Sequence, residues 1–360
     1  MKKMSEIRKL SAAMRAVVTN GNMDISLQQL EIRRPQAYEV VVKVRRCGIC
    51  GSDIPRVLHH VCPVYPTVLG HEFSGEVVAV GEKATRVRPG ARVAGIPLVP
   101  CMNCAPCRAG CYGQCASFSF IGTKQNGAFA EYVTVPQTNV YVLDDAIDWV
   151  QGAFFEPVTV ALHALGQLPK PFGGKLAILG AGTIGLMVLQ CARALGFEEV
   201  TAFDMDEHRL QLARELGAHT LVNTRDEERV RRLRKEAAAG DLRLQVMECA
   251  GVEDTIRLAL ALAPWRATVV FVGIPTRDVC LTPQDFDAIS RRELTMRGSW
   301  MSYSNHFPGQ EWDVAAQLFR DGKIRTDVLL EETISLEDVP ELFRQIQNGR
   351  KLNGKIVIQL

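Results

Sequence analysis

A glycine-rich turn, GAGTIG at 180–185, limits the possible folds of this chain more than any other feature. The strand-like run KLAIL precedes it, and a helical pattern follows it as far as Leu195. In such a unit, Gly180 permits the tight turn, Gly182 lets the backbone approach a pyrophosphate, and Gly185 permits close helix packing. The helix N-terminus then offers N–H donors to the anion. The alternative is an ordinary glycine-rich turn between a strand and a helix.

An acidic residue at the end of the next strand favours the dinucleotide. Asp204 closes VTAFD, 22 residues after Gly182, where a carboxylate accepts both ribose hydroxyls and repels a 2′-phosphate. No arginine follows it immediately, so NAD is favoured over NADP. Arg209, one helical turn further on, either reaches the adenosine ribose or is an ordinary surface arginine. The predicted cofactor-binding residues are Gly180, Gly182, Ile184, Gly185, Asp204 and Arg209.

Strand-like and helical runs alternate from KLAILG to LTMRGS, which predicts a doubly wound parallel sheet covered on both faces, an α/β Rossmann domain. From Met14 to about Tyr141 the chain is instead rich in short β-type runs such as EVVVKV, GEVVAV and EYVTV, separated by turns. After about Ser302 the pattern predicts two amphipathic helices and a closing strand, KIVIQL. A mainly β domain should therefore accompany the Rossmann domain.

The charge balance excludes some classes of partner. Lys plus Arg number 42 and Asp plus Glu number 40, a net charge of +2, so nothing favours nucleic acid or an anionic membrane. The basic stretch 225–241 is interleaved with acids and is typical of a solvated helix face. Residues 1–13 lack the apolar core of a secretion signal, and no apolar run is long enough to span a bilayer. We therefore expect a soluble, cytoplasmic protein with an N-terminal extension over 1–13.

Eleven cysteines in a long chain without a secretion signal favour metal ligation over disulfides. Cys101, Cys104, Cys107 and Cys115 have the spacing C-x2-C-x2-C-x7-C, which suits a tetrahedral structural zinc. Cys111 lies between the last two and competes for the fourth position.

A second cysteine pair, Cys47 and Cys50 in CGICGSD, fits either a redox C-x-x-C or part of a zinc site. A catalytic zinc needs about three protein ligands and an open position. Cys50, His71 of GHE and a carboxylate would supply them, whereas a redox pair needs only Cys47 and Cys50.

CGICGSD, GHEFSGEV, the four-cysteine lobe, FFEPVTVALHA, GAGTIG and Asp204 occur in this order between Met14 and the C-terminus. Together they resemble the zinc-dependent medium-chain alcohol and polyol dehydrogenases. The resemblance implies a mainly β, GroES-like catalytic domain over 14–160 and 302–360, and a Rossmann NAD-binding domain over 161–301.

The resemblance also implies two zinc ions per subunit. Cys50, His71 and Glu156 correspond to the catalytic ligands, Glu72 to an acidic residue that can approach the metal, and Cys47 to a variable position. Cys115, rather than Cys111, corresponds to the fourth structural ligand. Zinc would act as a Lewis acid on the substrate alcohol, and NAD would accept the hydride.

Ser52 corresponds to the hydroxyl that passes on the substrate proton, but Pro55 occupies the position where the relay often continues. CGSDIPR and GSWMSYSNHFPGQEW resemble members that act on sugar-alcohol phosphates, galactitol 1-phosphate being the implied substrate. A buried phosphate needs a cation, and Arg56 is the first candidate. Weaker candidates are His59, His60, Lys124 and His306, and His163 is expected to pack within a helix.

The segment LTMRGSW at 294–300 corresponds to a strand region that often pairs across a two-fold axis, which predicts a homodimer or homotetramer. Two alternatives to the sugar-alcohol phosphate stay open: an unphosphorylated polyol or L-threonine as substrate, and a non-catalytic protein that binds NAD and zinc. The complete set of Cys50, Ser52, His71 and Glu156 counts against the second, because a binding module needs no open metal position.

Overall fold

A computed structural model describes residues 12–170, 173–237 and 241–360, so most of the predicted extension 1–13 lies outside the described residues. The strands are β1 (Ala13–Gly21), β2 (Asp24–Glu31), β3 (Glu39–Gly48), β4 (Thr67–Val68), β5 (Glu72–Val80), β6 (Arg92–Gly95), β7 (Leu98–Val99), β8 (Ser119–Phe120), β9 (Tyr132–Pro136), β10 (Val140–Val142), β11 (Lys175–Leu179), β12 (Glu199–Asp204), β13 (Thr220–Asn223), β14 (Leu244–Glu248), β15 (Thr268–Phe271), β16 (Thr295–Gly298), β17 (Leu330–Ser335) and β18 (Lys355–Gln359).

The helices are α1 (Asp53–Leu58), α2 (Ala105–Arg108), α3 (Trp149–Ala153), α4 (Phe155–Leu165), α5 (Thr183–Ala194), α6 (Glu207–Glu215), α7 (Glu227–Ala237), α8 (Glu253–Leu262), α9 (Pro283–Arg291), α10 (Gln310–Arg320) and α11 (Val339–Gln347). None of the helices within the described ranges is long and apolar enough to cross a membrane.

The chain divides into two compact units. The first contains the described residues up to Glu156 with Tyr303–Arg320 and Leu330–Leu360, and the second contains Pro157–Ser302 and Asp321–Leu329. This division differs from the predicted domain bounds, because residues 157–160, Ser302 and 321–329 belong to the second unit. The backbone N–H of Arg325 donates to the side chain of Gln190, and its guanidinium pairs with Glu215, which joins this segment to the second unit.

The first unit is mainly β. Its largest sheet has seven strands in the order β10-β6-β5-β3-β18-β17, with β9 also paired to β3, and a smaller sheet has the order β2-β1-β4. β3 lies at the centre, and its four valines Val40, Val41, Val42 and Val44 are completely buried because both faces of the strand are covered. The predicted mainly β domain is confirmed.

The second unit contains a six-stranded, all-parallel sheet in the order β13-β12-β11-β14-β15-β16. The order reverses direction between β11 and β14, which is the switch point where such sheets bind ligands. The glycine-rich turn follows β11 at this point. The predicted Rossmann fold class is confirmed.

Candidate active site and metal centres

Strand pairing in the first unit assembles a polar cluster from distant parts of the sequence. β5 and β18 both pair antiparallel with β3, so that Gly48 faces Glu72 on one side and Val357 on the other. A Cβ at position 48 would overlap with Oε2 of Glu72, so glycine lets the carboxylate occupy its present position. The chain then leaves β3 through Ile49 and enters the loop that carries Cys50.

Cys50, His71 and Glu72 come together at this place, with ligand atoms all within 4.8 Å of one another. The thiol, imidazole and carboxylate are ligand types that zinc prefers, and the separation fits ligands shared by one ion. Burial raises the pKa of Cys50 to about 12, with the charge of Glu72 adding to the effect, so without a metal the thiol holds its proton. A bound metal would displace that proton.

Asp53 lies next to two of these three residues, Cys50 and His71. Its buried carboxylate accepts the backbone N–H of Cys50 at 3.0 Å and lies 3.7 Å from Nδ1 of His71. At that distance no hydrogen bond forms, and Nδ1 is buried without a hydrogen-bond partner among the described residues. Burial raises the pKa of Asp53, opposed by His71 and Arg56. Sequence reasoning quoted this aspartate within CGICGSD but gave it no role.

Sequence reasoning also missed Lys355, at the start of β18. Its Nζ donates to both carboxylate oxygens of Glu72, at 2.7 and 2.8 Å, and lies 3.3 Å from the carbonyl oxygen of Ile49. The two side chains are only 6% and 2% exposed. Burial alone would lower the pKa of Lys355, but the charge of Glu72 and the hydrogen bonds to its carboxylate raise it above its ordinary value. The sequence feature that could have indicated this buried lysine is its position at the start of an otherwise apolar strand, KIVI.

Glu156 lies in α4, outside the 4.8 Å group, but it is buried and interacts electrostatically with the same residues. Burial raises its pKa to about 7, and the nearby charges of His71 and Glu72 act in opposite directions. Cys47 is completely buried in the core of the first unit, and burial raises its pKa well above the ordinary value. Its thiol is free, so no Cys47–Cys50 disulfide is present.

Ser52 is the N-cap of α1, and Arg56 lies one turn further along the same helix. Nη1 of Arg56 donates to Oγ of Ser52 at 2.8 Å and lies 3.4 Å from Oδ1 of Asp53. Pro55 lies between them and offers no side-chain donor or acceptor. The predicted relay residue and the predicted phosphate ligand are therefore in direct contact.

The weaker phosphate candidates are engaged elsewhere or lack such a contact. His60 bonds the carbonyl oxygen of Asn20 and stacks on Tyr65, and Lys124 donates to the carbonyl oxygen of Phe118. His59 and His306 are exposed. His163 is half-buried in α4 beside the side chain of Gln167.

The four predicted structural ligands form a second cluster, again with all ligand atoms within 4.8 Å. Two thiolates on one tetrahedral zinc, with zinc–sulfur bonds of about 2.3 Å, lie about 3.8 Å apart. The observed Sγ separations are 4.0 Å for Cys101–Cys107 and 3.8 Å for Cys104–Cys115, so the thiols fit one zinc ion. Hydrogen bonds to the Asn103 backbone, the Ser117 side chain and the Cys104 backbone together lower the pKa of Cys101 to about 6, which favours the thiolate. Cys111 is exposed and lies outside the cluster.

The second unit contains a cavity of about 810 Å³ beside the glycine-rich turn. Gly180 has a positive φ of 98°, and a Cβ on Gly185 would collide with the carbonyl oxygen of Gly180, so both positions require glycine. Gly182 is the N-cap of α5, with open space around its Cα. Ile184 lies in the first turn of that helix. The turn thus exposes a helix N-terminus to the cavity, which suits a pyrophosphate.

Asp204 also lines the cavity, at the end of β12. Its buried carboxylate accepts backbone N–H groups from Ala181, at 2.7 Å, and Asp206, at 3.0 Å. The same cavity is also lined by five arginines: Arg209, Arg225, Arg231, Arg234 and Arg257. Within the predicted solvated stretch, residues 225–237 are largely exposed, yet part of this segment also lines the cavity, which its charge pattern did not indicate.

Comparison with known proteins agrees with this geometry. Residues 36–145 match the alcohol dehydrogenase GroES-like domain, and residues 183–317 match the zinc-binding dehydrogenase family. The chain is 39% identical to galactitol 1-phosphate 5-dehydrogenase of Escherichia coli K12, over 89% of this chain and 92% of that one.

Solved structures agree as well. The crystal structure of galactitol-1-phosphate dehydrogenase from Escherichia coli has 38% identity and a TM-score of 0.90, over 96% of this chain and all of that one. A protein named as a zinc-binding dehydrogenase from Sinorhizobium meliloti, solved with NADP, has 33% identity and a TM-score of 0.86, over 97% of this chain and all of that one.

Proposed function

This chain belongs to the zinc-binding, GroES-like alcohol dehydrogenases, and we propose that it oxidises galactitol 1-phosphate to tagatose 6-phosphate with NAD, reversibly. It is an oxidoreductase of the polyol dehydrogenase type, and zinc and a nicotinamide dinucleotide are its cofactors. The particular substrate, the preference for NAD and the role of each residue are the proposal.

The reaction removes two hydrogens from one secondary alcohol. The carbon-bound hydrogen leaves with its electron pair, the hydroxyl hydrogen leaves as a proton, and the products are a ketone, NADH and a proton. A zinc ion held by Cys50, His71 and Glu156 would supply the Lewis acidity that favours loss of the hydroxyl proton. A dinucleotide held by the glycine-rich turn and Asp204 would accept the hydride.

The protein's own groups hold and move the proton. Ser52 carries a hydroxyl that can accept the substrate proton and pass its own on. Asp53 accepts the backbone N–H of Cys50 and faces His71 at 3.7 Å, and Lys355 forms a buried ion pair with the Glu72 carboxylate. Glu72 would have to give up this ion pair, at least in part, to approach a metal held beside it.

The phosphate is supported by one observation above the others: Arg56 contacts Ser52 while its remaining N–H groups have no partner among the described residues. A planar guanidinium with a free edge suits a phosphate. The galactitol 1-phosphate enzyme that resembles this chain, 39% identical, supports the same substrate.

The test is NADH formation by the zinc-loaded protein with galactitol 1-phosphate, galactitol, sorbitol and L-threonine at equal concentration. We expect the phosphate ester to have the highest kcat/KM. Preference for an unphosphorylated polyol or for threonine would retain the dehydrogenase and reject the phosphate substrate. Inactivity with all four would reject the proposed substrate class.

We also propose that the protein forms a homodimer or homotetramer. All four residues of β16, the outermost strand of the parallel sheet, are exposed, as is Trp300 just beyond it. An exposed sheet edge can pair with a second copy of the same strand. Migration as a monomer in size-exclusion chromatography with light scattering would reject this assembly.

A further inference from the structure

The Arg56 guanidinium divides into an occupied side and a free side. Nη1 donates to Ser52 Oγ at 2.8 Å and lies 3.4 Å from Asp53 Oδ1. Nε and Nη2 have no hydrogen-bond partner in the described part of the chain, and the side chain is 23% exposed. The group is therefore anchored at one end and accessible at the other.

The occupied side determines how the Ser52 hydroxyl can point. A guanidinium only donates hydrogen bonds, so Nη1 takes one lone pair of Ser52 Oγ and the hydroxyl hydrogen must point away from it. The substrate proton must then enter through the other lone pair. Arg56 cannot accept the proton that Ser52 passes on, and Pro55 cannot either. Arg56 thus orients Ser52 and is not the next member of the relay.

The free side suits a phosphate. Arginine binds phosphate through two parallel N–H groups of its rigid plane, and Nε with Nη2 forms such a pair. Because all the guanidinium nitrogens share one plane, fixing Nε and Nη2 also fixes Nη1. A phosphate bound there would restrict the position of Ser52 Oγ.

Asp53 strengthens this connection. Its carboxylate is fully buried, accepts the N–H of Cys50 and faces His71, so it is held in place by the residues around the metal site. Arg56 pairs with this fixed carboxylate, which limits the positions that the guanidinium can take. The Ser52 contact and the free edge are therefore set relative to the metal-binding residues.

We propose that Arg56 couples recognition of the substrate phosphate to the orientation of the Ser52 hydroxyl. This inference rests on the proposed function, because it assumes a phosphorylated alcohol. Arg56 is then a phosphate ligand and a positioning residue for Ser52. If this coupling exists, the substrate phosphate raises kcat as well as lowering KM, because the proton acceptor must be correctly aligned in the transition state.

The experiment compares wild type, Arg56→Ala, Arg56→Lys and the exposed control Arg344→Ala, each with galactitol 1-phosphate and with galactitol. In wild type we expect the phosphate to raise kcat by about ten- to a hundredfold. Arg56→Ala should remove most of that difference. Arg56→Lys should recover KM but not kcat, because an ammonium is a point charge that cannot hold phosphate and Ser52 in one plane. Arg344→Ala should behave as wild type.

Two further measurements separate positioning from folding. Calorimetric titration of the zinc-loaded protein with galactitol 1-phosphate, without dinucleotide, should show weaker binding to Arg56→Ala. The circular dichroism spectrum of this variant should match that of wild type at the assay temperature, which shows that it is folded. Because coupling acts through Ser52, Arg56→Ala should have little additional effect on kcat in a Ser52→Ala background. Equal effects of Arg56→Ala with and without Ser52 would overturn the coupling.

The remaining outcomes are also decisive. If Arg56→Ala raises KM for the phosphate ester and leaves kcat unchanged, Arg56 binds phosphate without orienting Ser52, and the coupling fails while the proposed function stands. If Arg56→Ala matches wild type with both substrates, the coupling and the phosphate site both fail. If wild type itself gains nothing from the phosphate, the proposed substrate fails, and the coupling with it.

Discussion

The buried pair of Lys355 and Glu72 permits a quantitative test of how the metal site is supported. We consider Lys355→Met, which removes the ammonium and keeps much of the volume and the apolar stem. Nζ bonds both oxygens of Glu72, and both side chains are almost completely buried. The substitution therefore leaves a buried carboxylate without its counter-ion, close to Cys50 and to the second buried acid, Glu156.

Breaking a buried ion pair by removing one partner costs about 3–5 kcal/mol, because the remaining charge has lost its compensation. For a unit of this size, each kcal/mol lowers the unfolding temperature by about 2–4 °C, so we expect a decrease of about 6–20 °C. Adding Glu72→Gln should restore most of the loss, since the unpaired charge is then gone. A zinc ion bound beside Glu72 should reduce the loss as well, because its positive charge replaces that of Lys355.

The assay is thermal unfolding followed by circular dichroism, with and without zinc. The control is Arg344→Met, which breaks the exposed pair of Arg344 with Glu341 and should cost no more than about 1 kcal/mol. If Lys355→Met unfolds at the wild-type temperature without zinc, or if Glu72→Gln gives no recovery, Glu72 is not a buried charge that depends on Lys355.

The other predictions concern metal and cofactor. Cys115→Ser should lower the zinc content from two ions per chain to one and reduce stability, whereas Cys111→Ser should retain both ions by metal analysis. Asp204→Ala should weaken NAD binding about tenfold and improve the use of NADP, because arginines already line that cavity; an unchanged ratio of kcat/KM for the two cofactors would refute the role of Asp204. Zinc affinity of the metal-free protein should rise with pH, because Cys50 and Glu156, with pKa values of about 12 and about 7, must lose protons to bind; pH-independent zinc titrations would contradict this. By the same raised pKa, Glu156 should stabilise the metal-free fold below about pH 4.5 and lose that contribution as the pH rises through about 7, which denaturant titrations can follow.

The Rossmann unit was predictable because its determinants are local. Strand, glycine turn and helix occupy one short stretch, and the acid that closes β12 lies at a fixed distance from it along the chain. Gly180 and Gly185 are required by the backbone conformation and by a close contact within that same stretch. Periodicity and turn chemistry therefore carry most of the information.

The cavity wall was less predictable. Arg225, Arg231 and Arg234 lie on or before an exposed helix whose alternating charges are typical of a solvated face. Which side of such a helix faces the nucleotide cavity depends on how α7 packs beside α8, and a charge pattern does not contain that information. The assignment of 321–329 to the second unit was unpredictable for the same reason, because it depends on a long-range contact between Arg325 and Gln190.

The two metal clusters show the difference between local and long-range determinants most directly. The four structural cysteines fall within one loop, so their spacing alone indicates a shared ion. Cys50, Glu72 and Lys355 meet only because β5 and β18 both pair with β3 in one register, and a shift of one residue would turn each side chain to the opposite face of the sheet. The family resemblance indicated Cys50 and Glu72 without any knowledge of this strand register. Lys355 is not part of the motifs that carry the family resemblance. Only the pairing of the strands reveals that it is the buried counter-ion of Glu72, and the Lys355→Met variant tests this role.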